Sequence, residues 1–229
     1  MMAAPPGPAG QTGAETARLL LEAGAIQVSR EQPFVLAAGW ASPVYVDCRL
    51  LIDRPEWRRA ITRMAAESLD PASFDIIAGA ETAGIPWASW LAEALDKPLR
   101  YVRKRPLGIG RNAQVEGGGV DGQRVLLVDD LTTDGSSKLA FARGLRAAGA
   151  EVNQAFCIFH HGAFPGGAER LARLGLTLHP LATWADVLAL GSDAGMDAED
   201  RAEMALFLQD PVAWSTAHGG RATLTVPPL

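Results

Sequence analysis

A chain of 229 residues, 48% hydrophobic and 21% charged, is long enough for one sizeable core and excludes a disordered, fibrous or collagen-like molecule. A formal charge of -5 argues against a dedicated nucleic-acid binder, and no apolar run approaches the roughly 20 residues needed to cross a bilayer. Cys48 and Cys157 are too few for a disulfide framework and read as buried thiols in apolar runs, and MMAAPPGPAG has neither the charged n-region nor the apolar h-region of a secretory leader, so a cytoplasmic protein is expected.

In chain order, residues 1–13 lack large apolar groups and are expected to form a loose tail. Residues 15–23 read as a helix with Ala17, Leu20 and Leu21 on one side, closed by Gly24. FVLAAG and SPVYVDCRL read as extended, with Val44 and Val46 alternating against Tyr45 and Asp47 as in a half-buried strand. Pro55 opens a helix that runs to about Leu69. From Asp75 onward, short apolar runs alternate with helical ones, the signature of a parallel sheet covered on both faces. The strands are DIIAG, LRYV, QRVLLV, VNQAFCIF and LTLHPL; the helices fall at 84–95, 135–148, 166–173, 183–190 and 197–208. Residues 104–122 show no regular pattern and exceed an ordinary connection, which marks a lid whose glycines at 108, 110, 117, 118 and 119 suit a mobile flap. The organisation expected is an N-terminal hood and linking helix (14–70), a core (71–190), a C-terminal helix packed on the hood (191–216) and a loose tail (217–229).

The most informative stretch is VLLVDDLTTDGSSK, 125–138, where a buried strand ends in two carboxylates and enters a hydroxyl-rich loop before a helix. Ligands bind at the carboxyl ends of strands in open α/β sheets, and a helix N-terminus attracts phosphate. Thr132, Thr133, Ser136 and Ser137 can donate to a phosphomonoester, Gly135 lets the backbone come close, and Asp129 with Asp130 can accept from two sugar hydroxyls. Helix capping accounts for one such residue, not for the whole succession. GIGRNA, 108–113, follows a basic, proline-containing run rather than a strand and is not a dinucleotide fingerprint. His160 and His161 have no Cys, Asp or Glu at ligand spacing, so zinc is not expected.

Two acids followed by Thr-Thr-x-Gly-Ser resemble the phosphoribosyl pyrophosphate (PRPP) signature of type I phosphoribosyltransferases. FVLAAGWASPVYVDCRLL, GAETAGIPWASWLA, YVRKRPLGIGRNAQVEGG and HPLATWADVLAL resemble, in the same order, segments of orotate phosphoribosyltransferase, from about 34 to 190. The resemblance implies a Rossmann-like parallel-sheet α/β core with a small hood. It also implies a homodimeric, Mg²⁺-dependent glycosyltransferase of pyrimidine biosynthesis that joins orotate to PRPP, giving orotidine 5′-monophosphate and pyrophosphate. The Mg²⁺ would be held mainly through PRPP, and no nucleic acid or membrane partner is implied.

Residue by residue, the resemblance puts Asp129 and Asp130 on the ribose hydroxyls and Leu131, Thr132, Thr133, Asp134, Gly135, Ser136 and Ser137 around the 5′-phosphate. Glu81, Thr82 and Ala83 form a pyrophosphate loop with a cis peptide near Glu81-Thr82. Tyr45, Val46, Thr133 and His161 face orotate. Arg103 and Lys104 neutralise pyrophosphate at the root of a lid that closes over the partner subunit's site and carries Arg105, Leu107, Ile109 and Arg111. The catalytic weight falls on Asp130, Lys104 and Arg103. The chain departs from the family pattern at Ala37 and Ala83, where lysines are expected, at His161, where an arginine is, and at Leu107 and Ile109, where a lysine and a histidine are. Arg105 or Arg111 can reach the same phosphate oxygens. Two other readings stay open: a phosphoribosyltransferase for another base, because Ala37 and His161 weaken the orotate contacts, and a PRPP-sensing regulatory protein. The cations Arg103, Lys104, Arg105 and Arg111 favour an enzyme over a sensor.

Overall fold

In the computed structural model the residues described are 10–36, 39–106, 113–191 and 196–223. The N-terminal part is assembled from short pieces. Helix α1 (Gln11–Glu22) buries Gly13, Thr16, Ala17 and Leu20 along one face. It begins before the expected residue 15, because small residues at 13 and 16 allow close packing that an apolar count does not register. Strand β1 (Ile26–Val28), β2 (Phe34–Val35), β3 (Ala41–Ser42) and β4 (Val44–Val46) follow. They make two antiparallel ribbons, β1 with β4 (Ile26 opposite Val46) and β2 with β3. Val44 and Val46 are buried while Tyr45 is half-buried, as the alternation requires. The extended run expected through Leu50 stops early: Cys48–Ile52 is a 3₁₀ turn, opened by Asp47, whose side chain accepts the Arg49 N–H at 3.1 Å. Helix α2 (Pro55–Ser68) starts on its proline.

The centre is a mainly parallel sheet, as the alternation of runs predicts. Its elements are β5 (Ile76–Ala80), α3 (Gly84–Ala94), β6 (Leu99–Val102), β7 (Val115–Glu116), β8 (Arg124–Val128), β9 (Leu131–Thr132), α4 (Ser136–Ala147), β10 (Glu151–His160), α5 (Gly167–Arg173), β11 (Thr177–Thr183) and α6 (Trp184–Ala189). The strand order is β11-β10-β8-β5-β6-β7, with β9 alongside β10 and only β7 antiparallel. Every position of β5 and four of five in β8 are buried, the continuous burial of strands covered on both sides. The period of two divides them. Ile77, Leu126 and Val128 pack with α2 and α3, whereas Ile76, Ala78, Val125 and Leu127 pack with Phe141 and Leu145 of α4 and Leu171 of α5. Residues of α1, β3 and β4 belong to the first of these clusters, so the hood and one face of the sheet share a core.

Three expectations need correction. The stretch 104–122 is not wholly irregular: β7 returns antiparallel to β6, with Tyr101 opposite Glu116, and Gly117 and Gly118 lie against Arg100. They close a sheet edge rather than form part of a flap; Gly108 and Gly110 lie outside the described residues. Beyond α7 (Ala198–Gln209), Pro211–Ala217 forms a further helix, α8, capped by Asp210. The chain after it is docked as far as Arg221. Ser215 Oγ accepts the Ala41 N–H at 3.0 Å and donates to the Arg221 carbonyl at 2.9 Å, and the Arg221 N–H reaches the Gly39 carbonyl at 3.0 Å. Polar residues supply this tether, so it leaves no apolar trace. Cys48 and Cys157 are buried and free, and burial pushes both thiols up, Cys157 to about 12. Among the described residues, no helix is long and apolar enough to cross a membrane.

Candidate active site

At the carboxyl ends of β5 and β8 lies a cavity of about 590 Å³. One wall is the segment that leaves β8. Asp129 is nearly buried, and its two carboxylate oxygens are occupied: Oδ1 accepts the Asp130 N–H at 3.0 Å and Oδ2 accepts Lys138 Nζ at 2.5 Å. Lys138, wholly buried on α4, also donates to the Leu131 carbonyl at 2.9 Å. The Asp130 side chain accepts the Leu131 N–H at 2.9 Å. Burial, and then the charge of Asp129, hold its carboxyl well above the ordinary value, while Lys138 pulls the other way. The tandem acids are therefore unlike: Asp129 is engaged by lysine, and Asp130 is the acid with spare acceptor capacity.

Next comes the turn into α4. Gly135 takes a φ of 74°, the left-handed conformation that glycine adopts without penalty, and α4 has no acidic residue in its first turn. Its N-terminal N–H groups lie at the cavity wall beside the hydroxyls of Thr133, Ser136 and Ser137. Asp134 braces the turn: Oδ1 accepts Ser136 N–H and Oγ–H at 3.0 and 2.7 Å, and Oδ2 pairs with Arg170 at 2.9 Å. Burial would raise its carboxyl, but Ser136 and Arg170 outweigh it and leave it below the ordinary value.

The loop from β5 to α3 contains a cis peptide at Glu81-Thr82, as expected. Gly84 follows because nothing larger fits: a Cβ there would stand 2.3 Å from the Val128 carbonyl. Glu81 accepts the Lys104 N–H at 2.9 Å, tying this loop to the end of β6. Lys104 and Ala83 line the cavity. Arg103 does not; its guanidinium is held by Glu116 at 3.3 Å and the Tyr101 hydroxyl at 3.2 Å, which keep it raised above its ordinary pKa. The third wall is the hood, with Leu36, Tyr45, Val46, Asp47 and Arg49.

The profile of the phosphoribosyl transferase domain family matches residues 51–167. Orotate phosphoribosyltransferase of Cereibacter sphaeroides (strain KD131 / KCTC 12085) is 49% identical over 207 residues, 88% of this chain and 89% of that one. The chain belongs to the orotate phosphoribosyltransferase family. Among solved structures, orotate phosphoribosyltransferase from Aeropyrum pernix superposes with a TM-score of 0.65 at 34% identity, covering 76% of this chain and 98% of that one. Leishmania donovani UMP synthase gives 0.73 at 27% identity over 87% of this chain and 42% of that longer one.

Of the positions expected from this orotate phosphoribosyltransferase family, the cavity gathers Tyr45, Val46, Ala83, Lys104, Asp129, Asp130, Leu131, Thr133, Asp134, Ser136 and Ser137. Glu81, Thr82, Arg103 and Gly135 are chain neighbours of its lining residues and do not line it themselves, and Arg105 is exposed near the lid root. Two residues expected on its wall are elsewhere. Thr132 is a strand residue, opposite His160 in the β9–β10 pairing, with its hydroxyl buried. His161 stands two residues beyond Phe159 and so shares its face: both rings meet Trp184 edge-on, at 5.2 and 4.8 Å. Stacked also on Phe164 at 5.6 Å, His161 is enclosed among aromatics, and burial lowers its pKa to about 3. Ala37, Leu107, Ile109 and Arg111 lie outside the described residues. Sequence reading passed over Lys138 and Arg49. The first had a signal, since Lys138 occupies the buried stripe of α4 with Phe141, Ala142 and Leu145; the second had none once 48–50 was read as strand.

Proposed function

We propose that the protein transfers the phosphoribosyl group of PRPP to orotate, forming orotidine 5′-monophosphate and pyrophosphate. The observation that carries this reading is one cavity lined at once by a phosphate-seeking helix terminus, an acid with spare acceptor capacity, a lysine at the lid root and a tyrosine-bearing hood strand. In the reaction the bond from ribose C1 to the pyrophosphate oxygen breaks as the bond to N1 of orotate forms. The nitrogen arrives deprotonated, so no strong protein base is required. The protein's part is then positioning and charge placement. Ser136, Ser137, Thr133 and the α4 terminus hold the 5′-phosphate, Asp130 accepts from ribose hydroxyls, and Lys104, with Arg103 behind it, faces the departing pyrophosphate. Among the described residues no three His, Cys, Asp or Glu side chains form a metal cage. The oxygen donors present suit Mg²⁺ carried mainly by PRPP, where it supplies charge neutralisation.

The reading extends to a homodimer in the cytoplasm, each lid serving its partner's site. The family resemblance supports the dimer, and two buried free thiols suit a reducing compartment. The decisive assay supplies Mg²⁺, PRPP and orotate and follows the loss of the orotate ultraviolet band, with uracil, adenine and hypoxanthine in parallel. Orotate should be the base consumed. Turnover of another base instead would make this a phosphoribosyltransferase of different specificity; PRPP binding without any turnover would make it a sensor.

A further inference from the structure

Among the described residues the cavity walls carry four carboxylates, Asp47, Asp129, Asp130 and Asp134, and two cations, Lys104 and Arg49. Lys138 neutralises Asp129 and Arg170 neutralises Asp134 from behind. An anionic base brought next to Asp130 adds a second negative charge to a partly desolvated space, which is unfavourable without a cation beside it. Lys104 is tied through its backbone to Glu81 and belongs to the pyrophosphate side. Arg49 belongs to the hood, one turn beyond Tyr45 and Val46.

Its guanidinium is fixed along one edge. Nε and Nη2 meet the two oxygens of Asp47 at 2.6 and 2.8 Å, and Nη2 lies 3.3 Å from the Tyr45 hydroxyl, leaving Nη1 outside these contacts. The Arg49 side chain is 59% exposed, and ion pairs so exposed contribute at most about 1 kcal/mol to folding. Stability therefore does not account for a fork held this rigidly at a cavity wall. A pre-oriented guanidinium does match a planar carboxylate. We infer that Arg49 reads the ring carboxylate of the base and so sets the preference for a carboxylated pyrimidine over its uncharged counterpart. This rests on the reading of the cavity as an orotate site.

Orotidine 5′-monophosphate and uridine 5′-monophosphate differ only in that carboxylate, so their equilibrium binding to wild type, Arg49→Gln and Arg49→Lys isolates the contact. Arg49→Gln should weaken orotidine 5′-monophosphate about ten- to hundredfold, leave uridine 5′-monophosphate within about twofold, and collapse the preference, with Arg49→Lys between. Equal weakening of both nucleotides, or of neither, overturns the role of Arg49. A wild type that binds both alike and forms no orotidine 5′-monophosphate from orotate overturns the reading of the cavity and this inference with it. A wild type that forms the product while Arg49→Gln keeps its preference overturns the inference alone.

Discussion

The cavity wall formed by 129–140, proposed for phosphate and ribose, and the hood wall formed by 36–49, proposed for the base, are each short stretches of chain that differ in how they are held. The first holds itself together locally: Asp129 with Lys138 nine residues on, Asp134 with Ser136 two residues on. The second depends on distant support, with β3 fastened by Ser215 across 174 positions and Trp40 stacked on Phe164 at 4.6 Å. A self-contained segment can carry a recognisable pattern of residues. An assembled wall leaves its logic in partners that the local sequence does not display.

The contrast predicts that the local side fails hardest when one partner is removed. Lys138→Met leaves Asp129 buried beside Asp130 without its cation, and should cost about 3–5 kcal/mol of stability in urea unfolding. Adding Asp129→Asn to it should recover most of that loss, because the charge needing a partner is gone. A single-variant loss below about 1 kcal/mol would mean that the pair is not sealed from water.

Asp130→Asn tests function on the same side. Losing a charged acceptor for a ribose hydroxyl should lower kcat/KM for PRPP about ten- to hundredfold with little change in melting temperature. Unchanged kinetics with a lower melting temperature would reduce Asp130 to a brace for the Leu131 N–H. The same variant, mixed with an inactive lid variant carrying Arg105→Ala and Arg111→Ala and allowed to exchange subunits, should regain about a quarter of wild-type activity per site if lids serve partner sites, since about half the dimers are then mixed and one of their two sites is intact. Purely additive residual activity would put each lid on its own subunit.

The smallest effect concerns the aromatic support of the base side. Burial lowers His161 to about 3 and His160 to about 4, against roughly 6.5 in an unfolded chain. Between those values the unfolded chain binds protons that the folded one refuses. The contribution is therefore complete above about pH 6.5 and is lost as pH falls toward 3, on the order of 1 kcal/mol per pH unit for each histidine. His161→Phe should make the acid limb of stability shallower while leaving orotate kinetics nearly unchanged, because the ring does not line the cavity. Identical pH slopes in the two proteins would show that His161 takes up its proton freely in the folded state.

The legibility of the sequence follows the same division. Runs such as RVLLV and AFCIF announce buried strands because burial on both faces admits only apolar residues, and DDLTTDGSS announces a ligand because hydroxyls and acids accumulate beyond what capping requires. The 3₁₀ turn at 48–52 is invisible to such counting, since one Asp47 side chain overrides an apolar run. Strand β7 is two residues long and exists through its pairing with Tyr101 and Val102. The family resemblance puts His161 at the cavity, but the alternation of β10 with Phe159 and the bulk of Trp184 turn it into the interior.

The Ser215 and Arg221 tether also bears on how the chain comes into being. Synthesis runs from the N-terminus, so residues 39–41 emerge about 170 positions before the residues that fasten them. The central strands can pair and bury their faces while the ribosome is still extending the chain. The hood cannot be completed until its last ties have been released from the exit tunnel. The hood wall is thus finished after the central sheet, although its own residues are made first.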